Sequence, residues 1–114
     1  MSVSQLLSSD AWAAGIQFLN SDYNWEAHEV FEPVWQALPN PSPERALTRA
    51  LIQLANAQLK RKMNRPNAVL RLCDQVVELM DGLPNDTFVT CGVVRETLEH
   101  QVDQLRSTVI LRNP

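Results

Sequence analysis

The chain is poor in glycine and has no long apolar run. Its 114 residues include only 3 glycines, and its 7 prolines fall mostly between segments of helical periodicity. This pattern favours helices over a β sandwich, which needs many turns. No stretch approaches the roughly 20 consecutive apolar residues of a membrane-spanning helix, so we expect no membrane partner.

Cysteine is also scarce, and its placement excludes a zinc knuckle. Cys73 and Cys91 are the only cysteines, and neither lies in a Cys-x-x-Cys pair or beside a histidine. Two isolated cysteines are typical of a protein in a reducing compartment. The segment Met1–Leu7 has no positive charge and no long apolar run, whereas a secretory signal has both. We therefore expect a cytoplasmic protein.

Positive charge is sparse and scattered. The net charge is −3, and the only basic cluster is the short segment Lys60–Lys62. Proteins that bind nucleic acid present a much stronger basic surface, so we expect no nucleic-acid partner. The chain length, with 45% hydrophobic and 20% charged residues, predicts one helical domain over 1–114. We expect no cofactor.

Hydrophobic periodicity predicts an all-α fold, a compact single-domain bundle of about five helices. The predicted helices cover about 10–20, 24–38, 44–63, 66–80 and 91–110. Apolar residues of the last helix recur near heptad spacing, which indicates either packing within the chain or a seam between two copies. A homo-oligomer, in particular a homodimer, is therefore one of the partners we consider.

The most informative segment is Trp25–Trp35, which holds two tryptophans, a histidine and three acids within one predicted helix. Pro33 lies inside this helix and predicts a kink, because proline removes one hydrogen bond of the helix backbone. Two stripes run side by side along the helix. The apolar stripe is Ala27, Phe31, Val34 and Leu38, and the mixed stripe is Trp25, His28, Glu32 and Trp35.

A polar stripe on the next predicted helix is expected to face the mixed stripe. We expect Glu29 or Glu32 to pair with Arg45 or Arg49, and Gln53 to bridge to His28, since buried polar groups need partners. Such a network would fix the register of the two helices and line a small cleft between them. The predicted network consists of Trp25, His28, Glu29, Glu32, Trp35, Arg45, Arg49 and Gln53.

Two motifs together resemble a bacterial and archaeal family known as domain of unknown function 309. The first, an aromatic-Glu-Ala-His-Glu-x-x-Glu-x-x-Trp helix, corresponds to Trp25–Trp35, and the second, Leu-Ile-Gln-x-Ala, corresponds to Leu51–Ala55. The resemblance covers roughly residues 16–82 and implies a compact all-helical bundle. It implies no activity, because the family has no established one.

His28 and Glu32 are the candidate metal ligands, because they lie on the same side of the helix and supply donors that transition metals accept. The motif lacks a third ligand, so we expect no metal. His28, Glu29 and Glu32 are also the candidate catalytic residues, since a carboxylate beside an imidazole suits a general base.

Two functions of different classes fit these residues, and whether the protein is an enzyme stays open. The first is a non-enzymatic cytosolic helical module that binds a small molecule or a protein, or associates with itself, with the polar network in a structural role. The alternative is a small metal-binding protein or hydrolase-like enzyme centred on His28, Glu29 and Glu32.

Overall fold

The computed structural model describes residues 1–112, and the side chains of residues 1–109. Within that range the fold is all-helical, without a strand, as predicted. Seven helices occupy the described part of the chain, two more than predicted. They are α1 (Val3–Leu7), α2 (Asp10–Asn20), α3 (Asn24–Ala37), α4 (Pro43–Lys62), α5 (Pro66–Met80), α6 (Asn85–Cys91) and α7 (Arg95–Arg112).

Local signals at the helix starts explain where three of the predicted helices, α2, α4 and α5, begin. The Ser9 hydroxyl accepts a hydrogen bond from the Trp12 amide at 3.2 Å, and the Ser42 hydroxyl accepts one from the Arg45 amide at 3.1 Å. Both bonds satisfy an amide that has no partner within its own helix. Pro66 opens α5, where the missing N–H of proline costs nothing.

The two additional helices correct the sequence-based prediction. Helix α1 forms because Ser2 and Gln5 build a capping box, in which each side chain accepts a hydrogen bond from the backbone amide of the other. Helix α6 ends at Gly92, whose φ of 71° lies in the left-handed region that favours glycine. The last helix was predicted to begin at Cys91, but it begins at Arg95 because α6 ends just before it.

Helix α4 is the centre of the globule. It packs against α3, α5, α6 and α7, while α2 packs on α3 and α7 packs on α5. Leu47, Leu51 and Leu54 on α4 are fully enclosed, and truncating one such leucine to alanine typically costs about 2–5 kcal/mol. The buried apolar residues form one connected cluster to which all seven described helices contribute.

Three close contacts join α2 to its neighbours. Gly15 leaves room for the ring of Phe31 on α3, because a Cβ at this position would lie 2.5 Å from the nearest ring carbon. Trp12 packs edge-on against the same ring, with the centroids 5.2 Å apart. Its indole N–H donates to the carbonyl of Cys91 at 3.0 Å, so α2 is tied to the end of α6.

The near-heptad residues of α7 pack within the chain. Leu98, Val102, Leu105 and Val109 are buried, and α5 is the main neighbour of their helix. Only Val94, which precedes the helix, is exposed. The spacing is therefore explained by intramolecular packing. No helix in the described residues has both the length and the apolar content needed to cross a membrane.

Candidate functional site

The two stripes of α3 have different environments. Ala27, Phe31 and Val34 are buried, as expected of the apolar stripe. The mixed stripe lies at the border between core and solvent, with Trp25 exposed at its start and Trp35 half-buried near its end. Helix α3 continues through Pro33 as one element, and the predicted kink stays a prediction.

His28 and Glu32 form a local pair on this border. The His28 Nε2 and Glu32 Oε2 atoms are 3.2 Å apart, and the two side chains are 26% and 35% exposed. The contact requires a hydrogen on Nε2 that the imidazole donates to the carboxylate. The Trp25 ring lies edge-on to the imidazole, with 6.1 Å between the ring centroids. Because both side chains are partly exposed and lie one helical turn apart, this pair contributes much less to stability than a buried ion pair would.

Trp35 binds both predicted arginines. The Arg45 guanidinium carbon lies 4.4 Å from the centroid of the Trp35 ring, and that of Arg49 lies 5.1 Å away. Arg45 also donates from Nη1 to the carbonyl of Leu38 at 3.2 Å, which satisfies the backbone where α3 ends. The structure therefore brings α3 and α4 together here through cation–π contacts.

The predicted ion pairs between these helices are wrong. Within residues 1–109, neither Glu29 nor Glu32 forms an ion pair with Arg45 or Arg49. Glu32 contacts His28 on its own helix, and Glu29 points to the exposed side of α3. The arginines instead lie on Trp35, where the indole ring provides an attractive surface for a cation.

Gln53 faces α5 and not α3, so its predicted bridge to His28 is also wrong. Its amide nitrogen donates to the side-chain oxygen of Gln75 at 2.6 Å, and its own oxygen accepts from the Asn56 amide at 2.9 Å. Gln53 is only 7% exposed, so these bonds satisfy a side-chain amide that has little access to water. Sequence reasoning missed Gln75, although its position three residues after Leu72 and four before Leu79, at the edge of the apolar face of α5, was the available signal.

Seven of the eight predicted residues thus divide into three groups. One joins Trp25, His28 and Glu32 on α3, one joins Trp35 to two arginines across α3 and α4, and one joins Gln53 to α5. Glu29 stands outside all three, exposed on α3.

Of the group Trp25, His28 and Glu32, only His28 and Glu32 have side chains that can bind a metal ion or transfer a proton. No group of three or more His, Cys, Asp or Glu side chains that could hold a metal ion occurs among the described residues. Zinc centres in proteins use at least three protein ligands. The His28–Glu32 pair could take part in proton transfer, but the His28 imidazole has no hydrogen-bond partner other than Glu32 among the described residues.

Both cysteines are buried and free. Burial raises the pKa of the Cys91 thiol to about 12, with a smaller contribution in the same direction from the charge of Glu44. Burial also raises the pKa of Cys73. Because the thiolate is the reactive form, neither thiol is arranged as a nucleophile near neutral pH.

Comparison with known proteins supports the resemblance carried by the two motifs. No curated protein and no solved structure matches the chain significantly. One family model does match, over residues 12–72, against the 16–82 expected from the motifs. That range covers nearly all of α2, the whole of α3 and α4 and the first two turns of α5, and so includes every residue of the three groups above except Gln75. The chain belongs to the family described as Domain of unknown function (DUF309).

Proposed function

We propose that this protein is a non-enzymatic binding module whose outer α3 face binds a positively charged segment of another protein. The observation that carries the proposal is the environment of Trp25. This large aromatic side chain is 57% exposed and is flanked by the exposed acids Glu26 and Glu29. We call these three residues the acidic–aromatic face.

The charge of this face is uncompensated. Helix α3 contains no lysine or arginine, and within the described residues neither Glu26 nor Glu29 takes part in an ion pair. A lysine or arginine of a partner could contact the Trp25 ring while its charge is met by the carboxylates. A cation on an exposed aromatic ring contributes about 0.5–1 kcal/mol, and more when the contact excludes water. Tryptophan is also among the residues most enriched at interface centres.

The same charges argue against pairing of this face with itself. Two copies placed face to face would bring like-charged carboxylates together, which is unfavourable. The heptad-spaced residues that suggested a seam between copies are buried within one chain. A partner of opposite charge is therefore favoured over a homo-oligomer.

The remaining parts of the proposal rest on separate observations. We propose that residues 1–114 form one domain, and the single connected core of the described residues supports this. A cytoplasmic location is supported by two free, buried cysteines. No specific observation favours the alternative of a metal-binding protein or hydrolase-like enzyme centred on His28, Glu29 and Glu32.

Selection from a phage-displayed library of random peptides tests the proposal. We expect the folded protein to enrich peptides rich in lysine and arginine, and a Trp25→Ala or Glu29→Gln variant to lose most of that binding. Val89→Ala, which removes an exposed apolar side chain on α6, serves as the control and should bind as the parent does. Enrichment of uncharged peptides, or binding that is equal in Trp25→Ala and the parent, would refute the proposal.

A further inference from the structure

A separate groove lies at the other end of α3. It is bounded by Trp35, by the connector 40–42, by the first turns of α4 and by Leu79 near the end of α5. The groove has a volume of about 290 Å³, which is enough for a small ligand although below the usual range for drug-sized ones. Two guanidinium groups, those of Arg45 and Arg49, line it.

The groove is positively charged without compensation. No acidic side chain lines it, and neither arginine forms an ion pair within the described residues. Glu44 neighbours Arg45 in sequence, but it does not line the groove. Ser42 also lines the groove and is the N-cap of the 20-residue helix α4, so the positive end of the helix dipole adds to the same potential.

The two arginines are held in place before any ligand arrives. Both lie on the Trp35 ring, and Arg45 is further fixed by its bond to the Leu38 carbonyl. A guanidinium has five N–H donors. That carbonyl takes one of the Arg45 donors, and no hydrogen bond from Arg49 to another residue occurs within the described structure. Positioned donors bind an anion better than mobile ones, because less side-chain freedom is lost on binding.

From these observations we propose that the groove binds a small oxyanion carrying two negative charges, of the phosphate or dicarboxylate class. Two guanidinium groups match two negative charges, and their planar donor pairs fit phosphate and carboxylate oxygens. This site uses residues distinct from the acidic–aromatic face, so it stands or falls independently of the proposed function.

Nuclear magnetic resonance of the ¹⁵N-labelled protein tests the site. The indole N–H signal of Trp35 is assigned with Trp35→Phe and then followed during titration with inorganic phosphate, succinate or acetate, with ionic strength held constant by sodium chloride. We expect a saturating shift of this signal, with a Kd of about 1 mM or tighter. Phosphate or succinate alone, or both, should produce the shift, and the successful ligand identifies the class.

Matched variants separate specific binding from general charge attraction. Arg49→Gln should weaken binding at least about tenfold, as expected for the loss of a charge-assisted hydrogen bond. Arg49→Lys keeps the charge but loses the fork of donors, and should weaken binding by less. Arg71→Gln removes an exposed arginine from α5 and should change Kd less than about twofold.

Three results would overturn the proposal. The first is the absence of a saturating shift with both phosphate and succinate. The second is binding of acetate as tight as that of the doubly charged ligands. The third is equal weakening by Arg49→Gln and Arg71→Gln. The ¹H–¹⁵N spectrum of each variant without ligand reports directly whether it is folded, and Arg49→Lys is the test variant if Arg49→Gln is not.

Discussion

Replacing Gly15 with alanine tests the contact between α2 and α3, and two opposing effects decide its outcome. Alanine in the middle of a helix is favoured over glycine by about 1 kcal/mol. The new Cβ, however, would lie 2.5–2.8 Å from three ring carbons of Phe31, which is itself fully enclosed. A rigid ring surrounded by core atoms cannot move aside without disturbing its neighbours, and overpacking of this kind costs about 1–3 kcal/mol.

We therefore expect Gly15→Ala to lower the free energy of unfolding by up to about 2 kcal/mol, measured by urea denaturation. Ala13→Gly, at an exposed position of the same helix, measures the propensity difference without the clash and should cost about 1 kcal/mol. Adding Phe31→Leu to Gly15→Ala removes the ring that the new methyl group meets. The two changes should then be less damaging together than the sum of their separate effects, with a coupling of about 1 kcal/mol or more.

The result that would refute this reasoning is a gain in stability. If Gly15→Ala stabilised the protein by as much as Ala13→Gly destabilises it, the helices would not approach as closely as the Gly15–Phe31 contact requires.

Three further variants test other contacts. Gln53→Ala should lower the free energy of unfolding by about 1 kcal/mol or more, because the buried Gln53 amide is removed and the half-buried side chains of Gln75 and Asn56 lose a hydrogen-bond partner; a loss below about 0.5 kcal/mol would contradict the bond to α5. Lys62→Gln should cost about 0.2–1 kcal/mol at neutral pH. The Lys62 hydrogen bond lowers the pKa of Asp22 from 3.8, so this contribution is fully present above that value and disappears as pH falls through the lowered pKa. A difference between Lys62→Gln and the parent that is unchanged in strong acid would contradict the assignment. His28→Gln should cost less than about 1 kcal/mol in thermal or urea melts, as expected for a partly exposed pair, and a larger loss would show that His28 has a second partner.

The sequence predicted the large elements well because several signals agree at each of them. In α4, Ser42 caps the start, Pro43 occupies the first turn and apolar residues recur at helical spacing. Helix α6 was not predicted because its seven residues are too few for helical periodicity to be visible in the sequence. Its signal was Gly92, which ends it in the left-handed conformation.

The candidate site was predicted less well than the fold, for a geometric reason. Spacing along α4 correctly placed Arg45, Arg49 and Gln53 on one stripe, but it did not say which neighbouring helix each would meet. Helix α4 has α3 on one side and α5 on another, so a small rotation decides whether Gln53 contacts His28 or Gln75. That rotation is set by how the apolar side chains of all three helices pack, which no single helix reveals.

The hydrogen bond of the Trp12 indole bears on whether the region matched by the family model can fold without the rest of the chain. The matched region begins at this residue, yet the carbonyl that accepts its N–H belongs to Cys91, 79 positions later and beyond the matched range. A fragment ending at residue 72 would lose this acceptor together with α6, α7 and half of α5, whose buried apolar residues belong to the same core. The C-terminal third is therefore an integral support for the family's common core, and the two regions should unfold in a single cooperative transition.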